Sequence, residues 1–162
     1  MMEDLTVDLE NGRLNCRAAA IITHNGKILF HKNTAEEHYA LVGGRVQINE
    51  SSDDTVKREI MEELGKEIEL TGYVATVENF FEARGKKYHE IMFVHEAEFV
   101  DEADKMIITT IQNIEPENIA KGKHIQYEWI DIADLDGYDI RPNIIKSVLK
   151  EGKFPIHIVN KE

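Results

Sequence analysis

The chain has 162 residues, of which 42% are hydrophobic and 31% are charged, and its net charge at pH 7 is −12. This length and apolar fraction fit one globular domain, which we assign to residues 1–162. The acidic balance argues against a nucleic-acid partner, because a surface that binds nucleic acid needs a basic stripe. If the ligand is an anion, the protein needs a bridging cation or a local group of Arg and Lys.

The sequence also argues against a membrane partner. The N-terminal stretch MMEDLTVDLENG is acidic and lacks a secretory-type apolar segment. The longest apolar run, AAAII, has five residues, which is too short to cross a bilayer. Cys16 is the only cysteine, and we interpret it as a small buried hydrophobic residue. We therefore expect a cytoplasmic protein.

The first predicted elements are strands. Residues 16–23 and 27–31 flank His24-Asn25-Gly26, and Asn-Gly between apolar runs favours a hairpin because both residues tolerate positive φ. Residues 39–42, YALV, predict a short strand that ends at Gly43-Gly44. Three strands are therefore expected before the first helix.

A helix is predicted next. Ser51 or Ser52 can cap its start, and Gly65 suits its C-terminal end. Three apolar residues at i, i+4 and i+8 predict a buried stripe: Val56, Ile60 and Leu64. Three glutamates lie beside that stripe, so the helix presents carboxylates at the edge of a packed surface, as a cleft would require: Glu59, Glu62 and Glu63.

The rest of the chain is mainly strand. A long antiparallel pair is predicted over 68–81 and 87–100, with Arg84-Gly85-Lys86 as its turn. Beyond it we predict a loop over 101–124 with a short strand at 106–111, a strand at 126–130, a helix that Arg141-Pro142 opens and that stops near Gly152, and a terminal strand at 154–159. This order predicts an α+β fold with a mixed sheet.

The stretch from Gly44 to Lys66 resembles the Nudix box, G-x5-E-x7-R-E-U-x-E-E-x-G-U, where U is a bulky aliphatic residue. Ile60 occupies the first aliphatic position. Lys66 departs from the pattern at the last one, where Ile68 can take over the packing. All seven fixed positions match in spacing: Gly44, Glu50, Arg58, Glu59, Glu62, Glu63 and Gly65.

The resemblance implies the Nudix fold, an α/β/α sandwich with a mixed sheet between helices. It also implies hydrolysis of a nucleoside diphosphate linked to another group. Carboxylates are hard oxygen ligands that suit Mg²⁺ or Mn²⁺, and such a cation would cancel their repulsion and bridge to phosphate. The expected metal ligands are Glu59, Glu62 and Glu63, with Glu50 as a supporting ligand.

The other roles follow from residue type. We expect Glu59, Arg58 and Glu62 to be catalytic, with Arg58 orienting the carboxylates by a bidentate contact. The alternative for Arg58 is a surface pair with Glu62 at i+4. Gly43 and Gly44 would let the backbone turn sharply and approach a ligand closely, and with Arg45 they are the expected phosphate contacts.

The sequence gives weaker evidence for functional residues outside the box. Residues 78–90 mix aromatic and basic side chains and could contact phosphate or a partner subunit, although a solvated hairpin tip is the simpler interpretation. Tyr39 could stack on a base or be an ordinary strand aromatic. Glu115 and Glu117 are candidates for a general base supplied from outside the box.

Three functions compete. The first is a Mg²⁺-dependent Nudix pyrophosphohydrolase that acts on an ADP-ribose-like molecule or a nucleoside triphosphate. The second is a non-catalytic Nudix domain that senses a ligand, although such domains usually lose box glutamates. The third is an unrelated acidic interaction protein. We also expect a homodimer, because members of the family often pair.

Overall fold

A computed structural model describes residues 2–101, 103 and 125–161. In this part of the chain, eight strands form one sheet, and two α-helices and one 3₁₀ helix pack against it. The strands are β1 (Thr6–Leu9), β2 (Gly12–His24), β3 (Lys27–Asn33), β4 (Ala40–Arg45), β5 (Ile68–Ala83), β6 (Lys86–Phe99), β7 (Ile125–Asp131) and β8 (His157–Lys161). The helices are α1 (Ser52–Leu64), the 3₁₀ helix (Ile132–Gly137) and α2 (Ile144–Glu151).

The sheet is mixed. Its strand order is β7-β3-β4-β2-β6-β5-β8, and β1 pairs with β2 outside this path. β2 pairs with β6 in parallel, and β5 pairs with β8 in parallel, whereas the other pairs are antiparallel. The predicted α+β fold with a mixed sheet is therefore confirmed.

Local sequence explains the two hairpins. Asn25 and Gly26 have φ values of 51° and 74°, and they connect β2 to β3. Arg84 and Gly85 have φ values of 54° and 72°, and they connect β5 to β6. Residues with positive φ give the chain the twist that a two-residue hairpin needs.

The helices cover opposite faces of the sheet. Val56, Ile60 and Leu64 of α1 pack with the side chains of one face, as the periodicity predicts. Residues of α2 and the 3₁₀ helix pack on the other face, where Ile145 and Leu135 are buried. Neither α-helix in the described residues is long and apolar enough to span a bilayer.

The boundaries of α1 follow from its caps. The Ser51 side chain accepts a hydrogen bond of 3.1 Å from the backbone N–H of Asp54, so Ser51, not Ser52, is the N-cap. Gly65 has a φ of 67°, and its N–H donates to the carbonyl of Met61. This left-handed residue ends the helix without the steric cost that a Cβ would add.

The structure corrects the prediction for Gly43-Gly44. These residues do not form a turn, because they continue β4 and pair with Ala19 and Ala18 of β2. A Cβ on Gly43 would lie 2.0 Å from the carbonyl oxygen of Ala18, so glycine allows β4 to approach β2 closely.

The C-terminal region differs in its boundaries. The last helix begins at Ile144, so the prediction that Pro142 is its first residue is wrong. The backbone of residues 139–141 bonds instead to Tyr39, whose carbonyl accepts from the N–H of Arg141 at 2.9 Å. The terminal strand begins at His157, three residues later than predicted. The strand predicted at 106–111 lies outside the described residues, as do Glu115 and Glu117.

Candidate active site

Arg58 binds three carboxylates of the predicted box. Its Nε and Nη2 donate to the two oxygens of Glu50 at 2.6 and 2.9 Å. Its Nη1 donates to Glu59 at 2.9 Å and to Glu62 at 3.1 Å. Its Nη2 also donates to the carbonyl of Arg45 at 3.0 Å, which connects α1 to the end of β4. Arg58 is therefore the centre of a cluster, and the surface pair with Glu62 is only one of its contacts.

Glu50 holds Arg58 in place. The Arg58 guanidinium lowers the pKa of Glu50 to about 2, against the cost of burial, and donors from Thr55 and Gln47 add to this effect. Glu50 is thus an anion at neutral pH. Both of its oxygens already accept from Arg58, which is the geometry of a bidentate arginine–carboxylate pair. In this arrangement Glu50 positions Arg58.

Glu59 is largely enclosed, since only 16% of its side chain is exposed. Burial raises the pKa of Glu59, although Arg58 opposes that shift. A Cβ on Gly44 would lie 2.2 Å from the carboxyl carbon of Glu59. The glycine of the box therefore makes the space that this carboxylate occupies.

Glu63 has partners on other strands. The hydroxyl of Tyr127 donates to it at 2.7 Å, and Nδ1 of His31 lies 4.0 Å from the same oxygen. Burial raises the pKa of Tyr127, and the nearby charge of Glu63 adds to the shift, so the phenol stays a donor. Burial lowers the pKa of His31 to about 3, so this ring is neutral. Neither residue follows from the box pattern.

The donor set fits a hard divalent cation. Glu59, Glu62 and Glu63 offer carboxylate oxygens, the ligands that Mg²⁺ and Mn²⁺ prefer. In the described residues, however, no three acidic, histidine or cysteine side chains are gathered around one point. Arg58 and Tyr127 hold the carboxylates instead, so a bound cation would compete with these two donors.

A cavity of about 350 Å³ lies beside the end of β4. Arg45 lines it and also gives its carbonyl to Arg58, so the cavity borders the carboxylate cluster. Four arginines line this cavity in an otherwise acidic protein: Arg17, Arg45, Arg84 and Arg141. These are the local cationic groups that an anionic ligand would need.

Arg17 was not predicted as a site residue; it lies in the middle of β2, directly before the apolar run AAAII. Its Nη2 donates to the carbonyl of Leu41 at 2.7 Å and lies 3.3 Å from Nε2 of His31. The sequence did offer one indication, a cationic residue directly before AAAII. A charged side chain beside buried strand residues is stable only when it has hydrogen-bond partners.

Only part of the basic patch at residues 78–90 reaches the cavity. Phe81, Arg84 and Tyr88 line it, whereas Lys86 pairs with Asp8 at 2.9 Å on the surface. Tyr39 does not line it. This residue is only 8% exposed, and its hydroxyl donates to Glu128 at 2.5 Å, so it is a core aromatic of the sheet.

The chain is similar to one family model and to several solved structures. A family model described as NUDIX domain matches residues 14–149. The crystal structure of a UDP-X diphosphatase is similar, with 18% identity, a TM-score of 0.59, and coverage of 89% of this chain and 66% of that chain. The solution structure of the E. coli ORF135 protein shares 25% identity, with a TM-score of 0.53 and coverage of 89% and 91%. An ADP-ribose pyrophosphatase from Streptococcus suis shares 14% identity, with a TM-score of 0.59 and coverage of 90% and 98%. No curated protein matches the chain significantly.

Proposed function

Because the chain belongs to the Nudix family, we propose that it hydrolyses the pyrophosphate linkage of a nucleoside diphosphate derivative with Mg²⁺ or Mn²⁺. One observation carries the proposal. Arg58 gathers Glu50, Glu59 and Glu62 at the border of a cavity that four arginines line. This arrangement supports a site in which the carboxylates bind a metal ion and the neighbouring arginines bind a phosphate.

The proposed metal ligands are Glu59, Glu62 and Glu63, and Glu50 supports them through Arg58. The cation would supply a Lewis acid and a water of lowered pKa. Arg58 would orient two of the carboxylates through its hydrogen bonds. Tyr127 would orient Glu63 through its hydroxyl. These contacts support the proposal that Glu59, Arg58 and Glu62 form the catalytic group.

The phosphate end of the substrate would lie against Arg45 and the backbone of Gly43 and Gly44. Arg17 would add a fixed positive charge, because it is already held by the carbonyl of Leu41. An arginine fork binds phosphate oxygens in pairs, which fixes the position of the linkage as well as binding it. A linkage so placed would face the carboxylates of α1.

As the substrate we favour a small nucleoside diphosphate derivative over a nucleoside triphosphate. The similar structures include a UDP-X diphosphatase and an ADP-ribose pyrophosphatase, and both names specify diphosphate linkages. A non-catalytic sensing domain is the alternative. It has less support, because all four glutamates of the box are present.

A substrate screen tests this proposal. Purified protein is incubated with dinucleotides, nucleotide sugars and nucleoside triphosphates, with Mg²⁺ or with a chelator, and the cleavage products are separated and quantified. We expect cleavage of at least one diphosphate derivative, only when the cation is present. An absence of cleavage across the panel in both Mg²⁺ and Mn²⁺ would favour the sensing domain.

A double variant tests the site. Glu62→Gln with Glu63→Gln removes two carboxylate ligands at nearly constant volume, so we expect turnover to be lost while the thermal unfolding midpoint changes little. The matched control is Glu67→Gln with Glu69→Gln, which changes the charge equally at two exposed positions outside the box. Turnover that survives in the Glu62/Glu63 variant would refute the assignment.

A further inference from the structure

A row of polar side chains crosses five strands, and its three middle members, Asn15, Glu90 and Asn79, line the cavity. We name it the Glu90 row, and it consists of Thr6, Asn15, Glu90, Asn79 and Asn160, which pair in register on β1, β2, β6, β5 and β8. Asn15, Asn79 and Glu90 are each less than 9% exposed. Burying three polar side chains on adjacent strands destabilises the fold unless their hydrogen bonds are made.

The hydrogen bonds of the row all point towards Glu90. Nδ2 of Asn15 donates to one Glu90 oxygen at 2.7 Å, and Nδ2 of Asn79 lies 3.5 Å from the other. Thr6 donates to Asn15 at 2.8 Å, and Asn160 donates to Asn79 at 2.9 Å, which fixes the outward ends of both amides. An ionised carboxylate only accepts, so both amides must turn their N–H groups to it.

Glu90 still has capacity for further donors. A carboxylate has about four acceptor sites. Asn15 occupies one of them at 2.7 Å, and Asn79 occupies a second at 3.5 Å, which is the limit for a hydrogen bond. None of the ion pairs found among the described residues includes Glu90, and three of the cavity arginines pair with other carboxylates. Because the carboxylate lines the cavity, the missing donors can come from a ligand. A neutral N–H group suits this place, since a phosphate would be repelled.

The wall next to Glu90 is flat and aromatic. Phe81 and Tyr88 line the cavity and stack in parallel, with ring centroids 4.8 Å apart and an interplanar angle of 8°. Planar bases favour such surfaces. Arginines also line the cavity, so an acceptor, an aromatic wall and cations surround a volume of about 350 Å³, which is in the range of ligand pockets.

We propose that Glu90 reads the base of the substrate and that the preferred base is guanine. Guanine presents N1–H and the N2 amino group side by side, so its two donors match the two oxygens of one carboxylate, as the fork of arginine does. Adenine and cytosine place an acceptor nitrogen beside their amino group, and uracil flanks its N–H with carbonyls. Those acceptors would face a carboxylate and be repelled. The inference rests on the proposed function, because it places the nucleoside in the same cavity as the phosphates.

The test compares the binding of GMP and IMP without added metal, by calorimetry. IMP lacks only the 2-amino group, so the comparison removes one of the two donors. We expect wild-type protein to bind GMP about tenfold or more tightly than IMP, and AMP more weakly than either, because a paired base contact discriminates by this order. Equal affinities for GMP and IMP, or no measurable GMP binding, would overturn the proposal.

The variant Glu90→Gln identifies the residue responsible. Its amide presents one acceptor in place of two, so the preference for GMP over IMP is expected to fall to about threefold or less. Glu82→Gln is the control, because Glu82 lines the same cavity but is exposed, and it should keep the wild-type ratio. A wild-type ratio in Glu90→Gln would overturn the assignment, and a thermal melt verifies that each variant is folded.

These results separate the inference from the proposed function. The binding comparison needs neither a cation nor turnover. Guanine preference without cleavage of any nucleotide would leave the base site standing and refute the hydrolase. Cleavage of diphosphate derivatives at equal GMP and IMP affinity would leave the hydrolase standing and refute the base site. The comparison of GMP and IMP on the wild-type protein tests the guanine preference even if Glu90→Gln does not fold.

Discussion

Two carboxylate clusters in the described part of the chain differ in how they are built. The Arg58 cluster comes from one stretch of chain, where Arg58 lies eight positions from Glu50 and four from Glu62. The Glu90 row comes from strands that are far apart in sequence, since Asn15 and Glu90 are separated by 75 positions. The charge of the first cluster is balanced by the guanidinium of Arg58, whereas the carboxylate of the second accepts hydrogen bonds from neutral amides. A cluster whose residues are close in sequence can be recognised from the sequence alone, whereas a cluster that strand pairing brings together cannot.

The largest effect is expected from breaking the first cluster at its centre. Arg58→Gln removes the donor that holds three carboxylates, so kcat/KM is expected to fall roughly 10–100-fold, as with other residues that orient metal ligands. The free energy of unfolding should fall by about 1–3 kcal/mol, because charged hydrogen bonds are lost. Steady-state kinetics and urea unfolding measure the two effects.

The matched control is Arg13→Gln. Arg13 makes the same two-point contact with a carboxylate, Asp8, at 2.9 and 3.0 Å, but on the surface. An exposed pair contributes about 1 kcal/mol or less, and we expect no change in kcat/KM. If the two variants lose similar activity, Arg58 has no special place in the reaction.

Local order explains what sequence analysis found. The Nudix family and the mixed sheet are confirmed, and family membership supports the predicted pyrophosphohydrolase. The box could be identified because Glu50, Arg58 and Glu59 are spaced by a loop and one helix. The periodicity of α1 also fixed which of its side chains are buried.

The rest depended on contacts between strands, which one sequence does not specify. Glu90 was part of a predicted strand, but the parallel pairing of β2 with β6 sets it beside Asn15. Tyr127 and His31 reach Glu63 for the same reason, since β7 and β3 pair. Gly43 was predicted to turn because glycine permits it, while close packing of β4 on β2 was the actual requirement.

A smaller effect is expected from Gly44→Ala, which moves one carboxylate of the first cluster and leaves the second cluster intact. The new Cβ would lie 2.2 Å from the carboxyl carbon of Glu59, so that side chain must move. We expect kcat/KM to fall about tenfold. Because Glu59 ends in a flexible chain, the free energy of unfolding should fall by only about 1 kcal/mol.

Gly72→Ala controls for the loss of a strand glycine. A Cβ there would meet no atom within 4 Å, and its activity should equal that of wild type. The comparison of the two clusters becomes sharper if Gly44→Ala keeps the GMP-to-IMP binding ratio while it loses activity. Loss of the ratio as well would mean that the clusters are coupled.

The smallest effect concerns a third polar site, which joins α1 to β6 apart from both clusters. His95 is 3% exposed, its Nε2 lies 2.8 Å from the Ser52 hydroxyl and 3.5 Å from Asp53, and the edge of Tyr73 packs on its ring. Burial lowers the pKa of His95 below its usual 6.5, against the opposing charge of Asp53. The unfolded chain therefore binds the proton more readily than the native protein does.

It follows that the stability due to neutral His95 is fully present above pH 6.5 and is lost as the pH falls below it, towards the lower native pKa. His95→Gln keeps an acceptor for Ser52 but cannot titrate, so its unfolding midpoint should fall less than that of wild type between pH 7.5 and 5.5. His31, whose pKa is also lowered, contributes to both proteins and cancels in the difference. Parallel midpoint curves for the two proteins would show that His95 is no more protonated in the unfolded chain than in the native one.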